Sequence, residues 1–380
     1  MIPSGRSLHV FIGTKAQLIK MAPIMQELDA RGIPYRFIST GQHAASIAPL
    51  LEQFGLREPD ITLRAAKHNI STFREGLIWL SGLLWQAVAC PKQVRHKVFG
   101  DQGGLCLIHG DTLTTLASLV MAKRAGLAVA HVEAGYRSFN LFDPFPEELV
   151  RLVAMYFSDL LFAPTRKALD NLAAMRVRGS TFLVDGNTIE DAVSYAQRHS
   201  PARDPVEHKG NYVVMSIHRF ETLRSRKRLA QVVELAHKIA AQHPLRFIMH
   251  GPTRHYLGRY DLLSSLESAE RIEVLPLQPY LVFVTMLSNT AFIVTDGGSI
   301  QEEAHVLGMP CMVLRTRTER GHGLGENACL VGFDWERIDA FLHTFEAYRR
   351  PPADHEGVDT PSARLVDETL RWMAARAGAG

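Results

Sequence analysis

Short apolar runs alternate with longer helical stretches along this chain. Leu8 to Ile12, Tyr35 to Ser39, Leu105 to Ile108, Ala128 to Val132 and Asp159 to Phe162 read as strands. Helix-length segments separate most of them, which is the pattern of parallel βαβ units. After the polar stretch Ser200 to Gly210, which holds Pro201 and Pro205, the series restarts. Tyr212 to Ser216, Leu245 to Met249, Ile272 to Leu275, Ala291 to Val294 and Cys311 to Leu314 form the second set. The two sets share a pattern but no repeated sequence. The expected fold is α/β: two Rossmann-like, doubly wound domains facing a central cleft. Residues 1–187 and 188–355 would form the two domains, and 356–380 a tail with a helix over about Ser362 to Ala377 that could pack back on the first domain.

The chemistry-bearing residues share one location. Thr14-Lys15, Asp111, Glu133, His218, His250 and Asp296 each follow the C-terminal end of an expected strand, where open parallel sheets bind ligands. The strongest motif runs from Thr295 to Glu303. A strand ends, Gly297 and Gly298 turn the chain, and a helix begins near Ser299. Free N–H groups and the positive helix end would face an anion, and the glycines let it approach the backbone. Glu302 and Glu303 would then reach ribose hydroxyls. The plainer reading is a glycine turn with Ser299 as N-cap and a capping-box glutamate. Asp111 and Thr112 can likewise be read as helix caps. Glu133 ends its own strand. Glu147 and Glu148 follow an aromatic loop carrying Phe142, Pro144 and Phe145. Three carboxylates in one cleft should push their pKa values apart, which separates acid from base. No histidine joins them at metal-ligand spacing, so no metal is expected. Of 17 histidines, His9 and His131 read as core residues, His218 and His322 as functional, and His250 as balanced between the two.

Composition narrows the class. The chain has 380 residues, 46% hydrophobic and 21% charged, with a net charge of +3. That suits a globular enzyme with an anionic small ligand and speaks against a nucleic-acid partner, which calls for a denser basic stripe. Cys90, Cys106, Cys311 and Cys329 lie in or beside apolar runs and form no Cys-x-x-Cys pair. They read as reduced thiols of a cytoplasmic protein. Met1 to Ser7 has no apolar leader core. The uncharged run Gly76 to Cys90 is shorter than the roughly 18 residues of a span. It reads as a helix buried in the core or in a subunit contact. Val274 to Thr295 is broken by Pro276, Pro279 and Ser288-Asn289-Thr290, so no membrane span is expected.

Several motifs occur in an order that resembles the UDP-N-acetylglucosamine 2-epimerases. They are His109-Gly-Asp-Thr112, His131-Val-Glu-Ala-Gly-Tyr-Arg137, Pro146-Glu-Glu148, Asp185-Gly-Asn-Thr188, His218-Arg-x-Glu221, Thr295 to Glu303 and Thr318-Glu-Arg320. The resemblance spans about Leu8 to Gly332. It implies a two-lobed, glycosyltransferase-B-like fold, a UDP-sugar substrate, no cofactor, a homodimer and a place in cell-surface polysaccharide synthesis. Matched by position, it puts acid/base carboxylates on Asp111, Glu133 and Glu147 and a catalytic histidine on His218. Uracil would stack on Phe283. The diphosphate would meet Gly297, Gly298 and Ser299, and ribose would meet Glu303. Lys15, Gln42, Arg219, His250, Arg320 and His322 would complete the substrate contacts.

Three departures surround the diphosphate and sugar. The family's first turn usually reads G-T-R-P-E, and here it is Gly13-Thr14-Lys15-Ala16-Gln17. Lysine keeps the charge but loses the bidentate fork of arginine. The usual D-S-G-G turn has its serine moved to Ser299, and the usual Pro-Glu after Thr318-Glu-Arg320 is Gly321-His322. The resemblance implies inversion at sugar carbon 2 by elimination and re-addition of UDP, without net hydrolysis. Hydrolysis to ManNAc and UDP, transfer from a UDP-sugar donor, and non-catalytic sensing are the alternatives. The full acid set argues against the last.

Overall fold

A strand in the middle of a parallel sheet is covered on both faces, so it must be apolar along its whole length rather than on alternate positions. The long runs of the sequence behave this way. The computed structural model describes residues 6–41, 44–63, 73–141, 145–200, 212–353 and 359–377. Gln42, His43, Phe142, Pro144 and the stretch 201–210 lie outside the described residues. The chain divides into two α/β units, Met1–Ala192 with Glu356–Gly380, and Val193–His355.

The strands of the first unit are β1 (Arg6–Ile12), β2 (Tyr35–Ser39), β3 (Ile61–Thr62), β4 (Gly103–His109), β5 (Ala128–Val132), β6 (Leu160–Ala163) and β7 (Ser180–Leu183). They form one parallel sheet in the order β3-β2-β1-β4-β5-β6-β7. The second unit holds β8 (Val213–Ser216), β9 (Leu245–Met249), β10 (Ile272–Pro276), β11 (Ile293–Thr295), β12 (Cys311–Val313) and β13 (Ala328–Leu330). Its parallel sheet runs β10-β9-β8-β11-β12-β13. In each sheet the order reverses beside the first strand, between β1 and β4 and between β8 and β11. The connections on either side of that point run in opposite directions, which opens a crevice above the strand ends.

Three strands escaped the sequence pattern, and all three are sheet edges. β3 has two residues, β7 exposes Ser180 and Thr181, and β13 is a short Ala-Cys-Leu. An edge is covered less fully, so its apolar signal is weak. Asp159 does not extend β6. Its Oδ2 accepts the Val129 N–H at 2.7 Å and pairs with Lys123 at 2.6 Å.

The helix Phe73–Ala89 has two distinct faces. Trp79, Leu80, Leu83 and Ala87 are buried, but Trp85 is 74% exposed and Ile78 and Val88 are exposed beside it. Only one face enters the core of its own unit. All four cysteines are free thiols, Cys106 and Cys311 buried and Cys90 and Cys329 half-buried. His9 and His131 are fully buried. Burial pushes both down to about 4, with Arg36 adding to the effect at His9, so both are neutral. Among the described residues no helix is long and apolar enough to cross a membrane.

The helix Pro361–Ala377 packs on the helix Lys15–Ala30. Its first turn is tied by the Ser362 N–H, which donates to Asp191 Oδ2 at 2.8 Å. Burial pushes Asp191 up to about 6, against the pull of Ser362 and Arg364. A carboxyl raised on folding binds its proton more tightly in the native state. Its stabilising contribution is therefore full below the unfolded value near 3.8 and lost as pH rises through about 6. Asp191→Asn keeps an acceptor but cannot ionise. Its melting temperature relative to wild type should rise between pH 4 and pH 8, by the equivalent of up to about 2–3 kcal/mol. A difference that stays flat across that range in parallel thermal melts would contradict this.

Candidate active site

The reversal point of the first sheet collects the carboxylates. After β1, Thr14 caps the helix Lys15–Ala30, and Gln17 completes a capping box. Gln17 does more than cap. Its Oε1 accepts the N–H groups of Gly13 at 3.0 Å and Thr14 at 3.2 Å. Its Nε2 donates to His109 O at 2.9 Å and to the Thr112 and Thr115 hydroxyls. One amide thus ties the β1 turn to the β4 turn. A glutamate, the usual family residue here, has no N–H to give to the His109 carbonyl unless it carries a proton. Lys15, the first helical residue, is half-buried at this turn.

Glu133 ends β5 with φ 65°, a left-handed conformation uncommon for a side chain of its kind. It is 8% exposed. Its Oε2 meets Lys20 Nζ at 2.5 Å, Asn187 Nδ2 at 3.2 Å and His109 Nε2 at 3.3 Å. Asp111 is half-buried and bonds Arg151 Nη2. The other arm of Arg151 reaches Glu148 Oε2 at 2.7 Å, and Arg137 reaches Glu148 Oε1 at 2.5 Å. Burial would raise the Glu148 pKa, but Arg137, the Ser138 N–H and Arg151 outweigh it and hold it below the ordinary value. Glu147 is half-buried at the first position of the helix Glu147–Phe157. Asp111, Glu133 and Glu148 thus face cations rather than one another. The cap of the helix Leu113–Arg124 is Thr112, not Asp111.

The second sheet gathers the remaining candidate residues at its own reversal point. Asp296, fully buried after β11, accepts the N–H groups of His218 at 3.0 Å and Arg219 at 3.1 Å. It thereby locks the turn after β8 to the turn after β11. His218 stacks on His250 with ring centroids 4.7 Å apart, and His250 Nε2 lies 3.1 Å from the Ser216 hydroxyl. Burial lowers the His218 pKa, Asp296 opposes this, and Arg219 adds to it. Gly297 is the N-cap of the helix Gly298–Val306, so Ser299 lies inside the first turn and is not the cap. A Cβ on Gly297 would sit 2.4 Å from the His218 ring, and one on Gly298 would sit 2.6 Å from the Arg320 side chain. Close approach of the imidazole constrains Gly297 in particular, since the Arg320 side chain could turn aside from a residue at 298.

Behind this turn, Glu302 pairs with Arg320 at 2.5 Å and lies 3.5 Å from His322. Gln301 Nε2 donates to the carbonyls of Arg320 and His322 at 3.1 and 2.8 Å. Gln301 and Glu302 therefore strap the Arg320–His322 loop to the helix. Burial and then the nearby Glu303 carboxylate hold the buried Tyr280 hydroxyl far above its ordinary range. Phe283 is half-buried on the helix Tyr280–Ser288. Arg219 pairs with Glu221 at 3.3 Å. It also lowers the Arg315 pKa, after burial, so two guanidinium groups lie close together there.

A family model described as UDP-N-acetylglucosamine 2-epimerase matches residues 26–358. The chain belongs to the UDP-N-acetylglucosamine 2-epimerase family. The Bacillus subtilis enzyme of that name is 31% identical over 375 residues, covering 94% of this chain and 93% of its own. The Methanocaldococcus jannaschii enzyme is 30% identical over 343 residues, covering 87% and 90%. Its crystal structure in complex with UDP-GlcNAc and UDP aligns with TM-score 0.82 at 28% identity, over 96% of this chain and 99% of that one. The fold is accordingly glycosyltransferase-B-like, and the family is one of epimerases.

Sequence reasoning assigns no site role to Lys20, Arg151 or Asn187, although each touches a candidate carboxylate. Lys20 had a signal: a lone lysine inside the apolar run Leu18-Ile-Lys-Met21 is seldom buried unless paired. Arg151 had one too, three residues after Glu148 on a helix. Asn187 lies inside the motif Asp185-Gly-Asn-Thr188, which marks the segment but not its contact with Glu133. The Lys20–Glu133 pair, 4% and 6% exposed, makes a sharp prediction. Lys20→Met strands a buried carboxylate and should cost about 3–5 kcal/mol of stability. The double variant Lys20→Met, Glu133→Gln should recover more than half of that in urea unfolding. Additive losses would show that the two side chains do not interact.

Proposed function

We propose that this chain is a non-hydrolysing UDP-GlcNAc 2-epimerase. The reading rests most on the paired set at adjacent strand ends, Asp111 with Arg151 and Glu133 with Lys20. Carbon 2 of the sugar has no neighbouring carbonyl, so its proton is not acidic. Its removal becomes feasible when the C1–O bond to the diphosphate breaks in the same process. A carboxylate takes the C2 proton, the C2–H electron pair becomes the C1–C2 double bond, and the C1–O pair leaves with UDP. The products are a 2-acetamidoglucal and UDP. Protonation of C2 on the opposite face and attack of the diphosphate oxygen on C1 complete the inversion.

Glu133, Asp111 and Glu147 are assigned the proton transfers. The cations behind Glu133 and Asp111 hold them in place and balance their charge. His218, Arg219, Arg320, Lys15 and the Gly297-Gly298-Ser299 turn are assigned the leaving diphosphate, where fixed donors act without reorganisation. His218 is neutral near pH 7 by the lowering described above, so it serves as a hydrogen-bond donor rather than a fixed charge. Phe283 would stack on uracil and Glu303 meet ribose, with Gln42, His250 and His322 completing the substrate contacts. The location is cytoplasmic, in keeping with four free thiols, and the product class suits cell-surface polysaccharide synthesis. The chain acts as a homodimer through the exposed Ile78, Trp85 and Val88 face, since an apolar patch of that kind calls for cover.

Turnover of UDP-GlcNAc in D2O should place deuterium at carbon 2 of UDP-ManNAc, with little free sugar. Glu133→Gln should abolish the exchange while UDP affinity stays within a few-fold. Bound UDP-GlcNAc with neither exchange nor free sugar would overturn the epimerase in favour of a transferase, and ManNAc as main product would favour the hydrolysing reaction. For the dimer, light scattering should give twice the mass of one chain, and Trp85→Glu should give a folded monomer. A wild-type monomer would refute the interface.

A further inference from the structure

A large groove lies in the first unit away from the candidate site residues. It has a volume of about 980 Å³ and sits at the N-terminal ends of β6 and β7. The candidate carboxylates lie at the opposite, C-terminal ends of that sheet. Its cations are Lys123, Arg176, Arg178 and Arg376, set against the single carboxylate Asp159. That carboxylate is already engaged, by Lys123 at 2.6 Å and Arg376 at 3.9 Å. Arg176 and Arg178 are exposed and have no acidic partner among the described residues. Aromatic rings complete the lining. Phe157 is 61% and Tyr156 49% exposed, and the Arg376 guanidinium lies 4.6 Å over the Trp372 ring.

Helix C-termini attract cations by themselves. That accounts for Arg376 in a last helical turn and for Arg176 as the C-cap of the helix Arg166–Met175. It does not account for Arg178, or for aromatic rings left facing water beside the cations. A cationic rim around flat, exposed rings in a volume that suits a small molecule is complementary to a planar ring carrying an anion. An acyl chain would call for an aliphatic slot, and the aliphatic lining is only Leu152, Val153 and Ala375.

We propose that this groove is a second ligand site that takes a soluble aromatic phosphate ester. The ring lies against Trp372 and Phe157, and the phosphate is held by Arg176 and Arg178. The site is independent of the epimerase reading and shares no residue with it.

Phenyl phosphate is a suitable probe on the full chain labelled with 5-fluorotryptophan. The chain has 4 tryptophans, so Trp372→Phe assigns its 19F resonance. Phenyl phosphate should shift the Trp372 line saturably, with the Trp335 line unmoved. Inorganic phosphate and phenol should each bind at least tenfold more weakly, because each offers half of the recognition. The variant Arg176→Glu, Arg178→Glu should weaken phenyl phosphate at least tenfold with an unchanged thermal melt. If that variant does not fold, the comparison of the three probes on the wild-type chain decides. No saturable shift, or phenol binding as well as its phosphate, would overturn the proposal. So would a folded charge-reversed variant that alters the oligomeric mass, which would mean a second copy covers the groove. Tighter binding to anionic vesicles than to phenyl phosphate would mark a membrane surface instead and equally overturn it.

Discussion

Everything in this protein that bears on chemistry follows from one constraint, the reversal of strand order in a sheet whose strands all run parallel. A parallel strand needs a crossover, and helices must cover both faces. Where the order turns back, between β1 and β4 and between β8 and β11, neighbouring strand ends send their chains to opposite faces. The backbone leaves a gap there, and turn residues project into it. Lys15, Asp111 and Glu133 stand at or beside this point in one unit, and His218, Arg219, Asp296 and Gly297 in the other. The repeated topology explains how two unrelated sequences both place candidate groups at the ends of strands.

The gap alone would leave floppy turns. Buried polar groups make them stiff. Gln17 sews the β1 turn to the β4 turn, and Asp296 sews the β8 turn to the β11 turn with two backbone hydrogen bonds. Lys20 and Asn187 then fix Glu133, and Arg151 fixes Asp111. Buried ion pairs contribute little net stability compared with apolar packing. Their value here is placement: each carboxylate is held in one position by a buried partner. Such locking is the kind of preorganisation that electrostatic catalysis would use if these candidate residues act on substrate.

The Gln301–Glu302 strap belongs to the same economy of structure. Two neighbouring side chains on one helix hold the backbone and the side chains of the Arg320–His322 loop. The departure from Pro-Glu to Gly-His in this loop puts an imidazole 3.5 Å from a buried carboxylate. A second glutamate there would face Glu302 across the same space. The change is thus consistent with its surroundings.

Much of this was legible in the sequence. Continuous apolar runs announce central parallel strands because burial on both faces removes the polar positions. Glycine turns and charged residues right after those runs announce the strand-end site, because only there does backbone leave the sheet. Hence Asp111, Glu133, His218 and the Gly297 turn could be picked out one by one. The edge strands β3, β7 and β13 could not: β3 and β13 span two and three residues, and β7 opens on the polar Ser180 and Thr181. Which residues oppose the site's charges was also hidden. Lys20 lies 113 residues from Glu133 and Arg151 lies 40 from Asp111, and no local spacing links them. Local sequence determines what each segment can become and what chemistry it carries. Which charges meet, and which way Trp85 faces, is decided only when distant segments pack, because those energies depend on neighbours that the chain supplies from far away.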